Sequence, residues 1–140
     1  MSTRVEHNVS TINWIVDPNS YSQNSGRTID WDQVTATDEN GNKVIESGRI
    51  VSETPTGLVP RNLGITDGTN PYPAIGILLE SINQSNRVRA ISGQAVITGG
   101  IVYGNLLPDD GDANFDAWIT ELDENGTGIV TENFQDDRVS

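Results

Sequence analysis

Short apolar runs separated by polar turns occupy most of the chain, a pattern that predicts strands. The most apolar run, AIGILL at residues 74–79, is short and contains a glycine, which favours a buried strand over a helix. The pair Gly99-Gly100 is expected to separate two strands of the next apolar region. The further strands predicted in this way are residues 28–37, 43–46, 49–52, 87–91, 94–99, 100–106 and 128–130.

One segment has the periodicity of a helix. Residues 112–122 place their large apolar side chains at i, i+3, i+4 and i+7, which predicts one apolar helix face. These side chains are Phe115, Trp118, Ile119 and Leu122. Asp110 or Asp112 is suited to cap the start of this helix, and Asn125-Gly126 is suited to end it. The elements together predict a mainly β protein with one short C-terminal helix, in the α+β class.

The first 27 residues are polar, and their apolar residues are concentrated in one cluster. The cluster consists of Ile12, Trp14, Ile15 and Val16. A polar segment with a few apolar anchors is expected to order against the protein's own core, a sister subunit or another protein. We therefore predict an extended N-terminal arm at residues 1–27 and a single domain at residues 28–140. The cluster is the candidate binding site of this arm, and deletion of residues 1–16 is expected to leave a folded domain.

The charge balance excludes several kinds of partner. The net charge is −12, whereas a protein that binds nucleic acid through phosphate contacts needs a basic face. An anionic membrane surface is disfavoured for the same reason. The acidic residues are concentrated at one end, because residues 109–140 contain ten acidic side chains and one basic one. The sequence has no cysteine, no apolar segment typical of a signal peptide and no run long enough to span a bilayer.

Candidate catalytic and metal-binding residues are few. The single histidine, His7, lies in the polar arm, so a Ser-His-Asp triad would depend on it alone. The acidic stretch from Glu121 to Glu132 has nearly the spacing of an EF-hand loop, but its first residue is Glu and no helix follows it. A helix end followed by a strand explains the same residues, and we predict no metal site. Paired carboxylates are common in the sequence, but nothing places two of them across a cleft, and no phosphate-binding loop or cofactor motif is evident. The chain is therefore not expected to be an enzyme.

Several motifs, taken in order, resemble those of the lambda-type head decoration proteins, which are small capsid-stabilising proteins of tailed phages. KVIESGRIV at residues 43–51 looks like the early strand, turn and strand of that family, and AIGIL at 74–78 is similar to its apolar strand. Residues 95–107, followed by Pro108, resemble the strands before its L-P loop. Residues 115–122 and 128–130 look like its closing helix and last strand. The N-terminal arm and the acidic segment at residues 132–140 depart from the family pattern.

The resemblance implies a small β-barrel, tulip-like domain that forms a homotrimer on the outer surface of the virion. The implied partner is the major capsid protein, at the three-fold positions of an icosahedral shell. With that partner, the arm cluster of Ile12, Trp14, Ile15 and Val16 is the candidate capsid- or subunit-binding site. The implied role is to cement the capsid, with no catalysis, no cofactor, no small-molecule substrate and no nucleic-acid or membrane partner. Such a protein would be made in the host cytoplasm and added to the phage head.

Two other classes of function remain open from the sequence. The first is a β-sandwich adhesion or carbohydrate-binding module, with or without calcium, because aromatic side chains can stack on sugars. The aromatic residues considered for that role are Trp14, Tyr21, Trp31, Tyr72 and Tyr103. The second is a small enzyme, which the lack of a catalytic constellation disfavours.

Overall fold

The computed structural model describes residues 12–17, 21–85, 94–124 and 129–134, and it confirms a mainly β fold with one short helix near the C-terminus. The described residues form eight strands and the helix α1, Phe115–Glu124. The strands are β1 Tyr21–Arg27, β2 Val44–Ile45, β3 Ile50–Thr54, β4 Gly57–Pro60, β5 Ala74–Leu78, β6 Ile82–Asn83, β7 Gln94–Tyr103 and β8 Ile129–Glu132. Short 3-10 helices follow β1, β4 and β7, at Trp31–Gln33, Arg61–Leu63 and Gly104–Leu106.

The long strand β7 organises the main sheet, whose order is β1-β7-β5-β3-β4. These neighbours are antiparallel, whereas β8 pairs with β7 in parallel. Ile97 pairs with both β1 and β5, and Gly100 pairs with both β1 and β8. Since a strand has only two edges, β5 and β8 share one edge of β7 in tandem, and β1 lies along the other.

The chain after β1 reaches the far edge of the same sheet. Ile29 forms a parallel bridge with Leu58 of β4, and the Asp30 N–H donates to the Leu58 carbonyl at 3.0 Å. The segment from β1 to Ile29 therefore joins both edge strands, so that the sheet bends back towards itself. The ribbon formed by β2 and β6 is separate from the main sheet.

Buried residues occupy both faces of the sheet. Successive residues of one strand enter different clusters, as Ile50 and Val51 do in β3 and Ile77 and Leu78 do in β5. This alternation is the consequence of the two-residue period of a strand. The first cluster contains Trp14 and the apolar face of α1, and the second contains residues from the β2–β6 ribbon.

The predicted break at Gly99-Gly100 is an irregularity within one strand. Ser22 pairs with Gly99 and Gln23 pairs with Ile97, which leaves Thr98 as an extra residue in β7. Gly100 has a φ of +117°, a conformation that glycine adopts without a Cβ penalty. The extra residue resets the alternation, and Ile97 and Val102 therefore belong to the same cluster although five positions separate them.

The other predicted strands and the helix agree with the structure in part. The strand predicted at residues 28–37 is wrong: this segment contains the 3-10 helix Trp31–Gln33, flanked by single bridges at Ile29 and Thr37. The strands β1 and β4 were not predicted. The helix is confirmed, and Asp112 accepts a hydrogen bond from the Asn114 N–H just before it. The predicted strand at residues 87–91 and the helix end at Asn125-Gly126 lie outside the described residues.

Candidate interaction surface

The cluster predicted to dock the N-terminal arm lies against the domain itself. Trp14 is 1% exposed and belongs to the first core cluster. Ile12 and Ile15 are half-buried and pack against that cluster, and Val16 is also half-buried. Of the three alternatives, the described part of the arm contacts the protein's own core. Capsid or subunit binding by these residues stays a prediction, and the side chain of Trp14 is occupied by the domain.

Polar contacts fix the position of the Trp14 indole. Its Nε1 donates to the Ser47 hydroxyl at 3.0 Å, and that hydroxyl donates to the Leu79 carbonyl at 2.7 Å. A buried indole N–H needs such an acceptor. Gly48, at a φ of +88°, passes so close that an added Cβ would lie 3.0 Å from the indole nitrogen. The turn between β2 and β3 is therefore shaped to receive Trp14.

The backbone around Trp14 extends the sheet. The Val16 N–H donates to the Ile101 carbonyl at 3.0 Å, and the Tyr103 N–H donates to the Trp14 carbonyl at 2.7 Å. Ile15 forms an antiparallel bridge with Val102. Together with β1, these contacts cover one edge of β7. Described residues that the sequence assigns to an arm therefore form part of the sheet.

An apolar surface lies at the C-terminal half of β7 and on β8. Ile101 is 38% exposed, Val130 is 55% exposed and Phe134 is 40% exposed, and these are the large hydrophobic residues exposed in the described part of the chain. Ile101 and Val130 are register partners across the parallel pair, so their side chains lie side by side on one face. We refer to Ile101, Val130 and Phe134 as the exposed apolar patch.

Phe134 is held in place although it follows the last strand. Its N–H donates to the Asn105 side-chain oxygen at 2.7 Å, and the Asn105 amide donates to its carbonyl at 3.1 Å. Its ring meets that of Tyr103 edge-on, with centroids 5.2 Å apart and planes at 79°. This geometry is favourable for aromatic pairs. The Asn105 side chain thus bonds the backbone of Phe134 as a neighbouring strand would, and the Phe134 ring stays exposed to solvent.

The described cations all have partners within the chain. Four of the eight Lys and Arg residues lie in the described ranges. Their contacts are Arg27 with Glu53, Lys43 with the Trp31 carbonyl, Arg49 with Glu46 and Asp109, and Arg61 with Glu121. The three arginines are therefore paired with carboxylates, and the fourth cation, Lys43, donates to a backbone carbonyl.

Glu121 joins helix α1 to the sheet. Its two carboxylate oxygens accept from the Arg61 guanidinium, each at 2.8 Å, and one of them also accepts from the Ala74 N–H at 2.9 Å. These hydrogen bonds, chiefly those from Arg61, hold the pKa of Glu121 below its ordinary value despite partial burial. The Arg61 guanidinium also lies 5.7 Å from the centre of the Trp118 ring. The arrangement is that of a structural contact between α1 and β5.

A second charged contact fixes the loop after β7. Asp109 is buried; one oxygen accepts from Arg49 at 2.6 Å and the other from the Ile50 N–H at 3.0 Å. Arg49 also reaches Glu46 at 2.9 Å. A buried carboxylate that has both oxygens bonded is satisfied, so Asp109 serves to attach this loop to β3.

The residues weighed for metal binding are not assembled into a cation site in the described ranges, where no group of three or more His, Cys, Asp or Glu side chains lies together. Glu121, the first residue of the EF-hand-like spacing, has both carboxylate oxygens bonded to Arg61. His7 and residues 125–128 of that spacing lie outside the described residues.

The described surface contains a concavity of about 70 Å³ beside the β2–β6 ribbon, lined in part by Thr35, Val44 and Leu63. Ligand pockets usually have volumes of about 300–1,000 Å³. Among the aromatic residues considered for stacking on sugars, Trp14 is buried in the core. Within the described ranges, no helix has both the length and the apolar character that crossing a membrane requires.

No protein-family model matches the chain, and no curated protein matches it either. The resemblance to head decoration proteins therefore rests on the motifs in the sequence.

Proposed function

We propose that this chain is a capsid decoration protein that binds the outer surface of a phage head and stabilises the shell. Its partner on the head is the major capsid protein, and its working form is a homotrimer. In this proposal the protein acts on the virion surface without catalysis and without a cofactor.

The observation that carries the proposal is the ordered series of motifs, because each of them coincides with an element of the fold. Residues 43–51 span β2, the turn that receives Trp14 and the start of β3. Residues 74–78 are β5, and residues 95–107 include most of β7. The last two motifs correspond to α1 and β8. The resemblance thus follows the structural framework in order, and the mainly β fold agrees with what it implies.

The surface properties support the same function. A net charge of −12 keeps identical particles apart in solution, which suits a protein displayed in many copies. The exposed apolar patch offers a contact area for a partner, since exposed apolar groups often mark interaction sites.

The test is addition of the purified full chain to heads of the phage that encodes it, prepared without this protein. We expect saturable binding and a higher temperature of DNA release, with occupancy measured by electron microscopy. Heads that already carry the native protein are the control, because their sites are filled. Undecorated heads that bind none of the protein would refute the proposed function. Sedimentation velocity of the free protein tests the homotrimer separately.

A further inference from the structure

We infer that the exposed apolar patch is the docking face of the protein, and that it fits an apolar surface on the capsid protein bordered by Lys or Arg. This inference rests on the proposed function and adds to it the contact residues and the chemistry of the partner. It places docking at Ile101, Val130 and Phe134 instead of at the predicted cluster around Trp14.

The patch is a continuous surface across two paired strands. The register places Ile101 opposite Val130 and Tyr103 opposite Glu132, so all four side chains lie on one face. The Phe134 ring covers Tyr103 and extends the apolar area beyond the end of β8. The side chains of Val102 and Ile129 lie on the opposite face of the sheet and belong to the first core cluster. The outward apolar side chains are therefore additional to those that the core requires.

The protein holds Phe134 in a defined position before any partner arrives. Two hydrogen bonds between its backbone and the Asn105 side chain, one donated by each residue, and the edge-on contact with Tyr103 restrict both its backbone and its ring. An aromatic side chain that is already ordered loses little conformational entropy on binding, and aromatic residues are enriched among those that dominate interface energies. Asn105 therefore acts as a positioning residue for the anchor Phe134.

The charges around the patch indicate which charges a partner should have around its contact surface. Glu132 is exposed on the same face as Val130. No Lys or Arg occurs in β7, in β8 or in residues 12–17. Because complementary charges at an interface speed encounter and like charges disfavour it, a partner with Lys or Arg around an apolar centre fits this surface.

The experiment measures binding of full-length variants to undecorated heads. The double variant Ile101→Thr/Val130→Thr keeps β-branched residues in both strands but makes the patch polar. The variant Asn105→Ala leaves Phe134 unchanged and removes both of its hydrogen bonds. We expect at least about 10-fold weaker binding for each, with an unchanged melting temperature. If both variants bind with wild-type affinity, the patch is not the docking face. The proposed function would still stand, because the wild-type protein binds the heads.

The matched charge variants test the chemistry of the partner. Glu132→Gln removes a carboxylate at the patch, and Glu39→Gln removes an exposed carboxylate in the turn before β2. We expect Glu132→Gln to slow association and to reduce its salt dependence, whereas Glu39→Gln should match wild type. Equal behaviour of both variants would refute a basic border on the partner. Loss of homotrimer together with full binding to heads in the Ile101→Thr/Val130→Thr variant would assign the patch to a second copy and overturn the inference.

Discussion

At the scale of single residues, the buried Trp14 side chain changes the assignment of a segment from arm to domain. The sequence around it is polar, which predicts an arm that could bind elsewhere. The structure places the indole in the core, where its N–H donates to the Ser47 hydroxyl and Gly48 packs closely against it. The described residues next to Trp14 therefore belong to the domain, and the expectation that residues 1–16 are dispensable for folding does not agree with this position.

Replacing Trp14 by alanine is expected to lower the free energy of unfolding by about 3–5 kcal/mol, the usual cost of truncating a buried aromatic side chain. The measurement is denaturant unfolding followed by circular dichroism. Deletion of residues 1–16 removes the same side chain and should destabilise the domain similarly, whereas Asn13→Ala, a change at the exposed neighbouring position, serves as the control. A Trp14→Ala variant as stable as wild type would contradict the burial of the indole.

The residues of the candidate surface were not identified from the sequence. Ile101 and Val130 occur in apolar strand segments, and such segments do not reveal which face is covered, because exposure depends on what packs against the sheet. The isolated aromatic Phe134 in a polar segment was the one available signal. The partners of Phe134, Asn105 and Tyr103, lie about thirty positions earlier, so no local pattern connects them.

At the scale of elements, the periodic segments were predicted well and the aperiodic ones were not. The helix and β5 have strong patterns, and both are confirmed. In β5 the internal glycine has a packing reason: a Cβ at Gly76 would lie 2.8 Å from the Ile97 carbonyl of β7. By contrast, β1 has the sequence YSQNSGR and β4 is a four-residue strand that ends in Pro60. Such strands are set by their neighbours in the sheet, since their own residues favour turns.

The contact between α1 and β5 predicts an acid-sensitive stability. The folded-state pKa of Glu121 is lowered from its ordinary value of 4.5. The ionised carboxylate therefore contributes fully to the free energy of unfolding above pH 4.5. This contribution is lost as the pH falls through the lower folded-state pKa. Glu121→Gln is expected to cost roughly 1.5–3 kcal/mol at pH 7, the range for hydrogen bonds to charged groups. Below pH 4.5 the difference between the variant and wild type should shrink.

The measurement is chemical denaturation of both proteins across this pH range. Asp38 and Asp67 also have pKa values lowered by backbone N–H groups, but they titrate in both proteins and cancel in the comparison. Glu124→Gln, an exposed change at the end of the same helix, should stay within about 0.5 kcal/mol of wild type. A constant difference between Glu121→Gln and wild type at all pH values would show that ionisation of Glu121 does not contribute.

At the scale of the whole molecule, acidity and a divided core are the main features. Two apolar clusters lie on opposite faces of one sheet, and the strands β3, β5 and β7 contribute residues to both. Composition predicts the acidity directly and the mainly β fold in outline. It does not predict how β7 is shared between β1, β5 and β8, because that arrangement depends on contacts between residues far apart in the sequence.

Calcium is expected to leave the melting temperature at the value found in sodium chloride of the same ionic strength. The reason is that Arg61 already occupies the carboxylate at the first position of the EF-hand-like spacing. The salt control is needed because any salt screens the repulsion in a protein with a net charge of −12. A rise of several degrees beyond that control would indicate a ligand bound to the native state and would contradict the prediction.

The sharing of β7 has a consequence for synthesis on the ribosome. The edge of β7 that receives β8 can be covered only after residues 129–132 have been translated, although β7 itself ends at Tyr103. Until then, part of a long strand has open backbone groups, and such edges pair readily with other nascent chains. The interval between translation of β7 and of β8 is therefore the stage at which the yield of the protein depends on dilution and on chaperones.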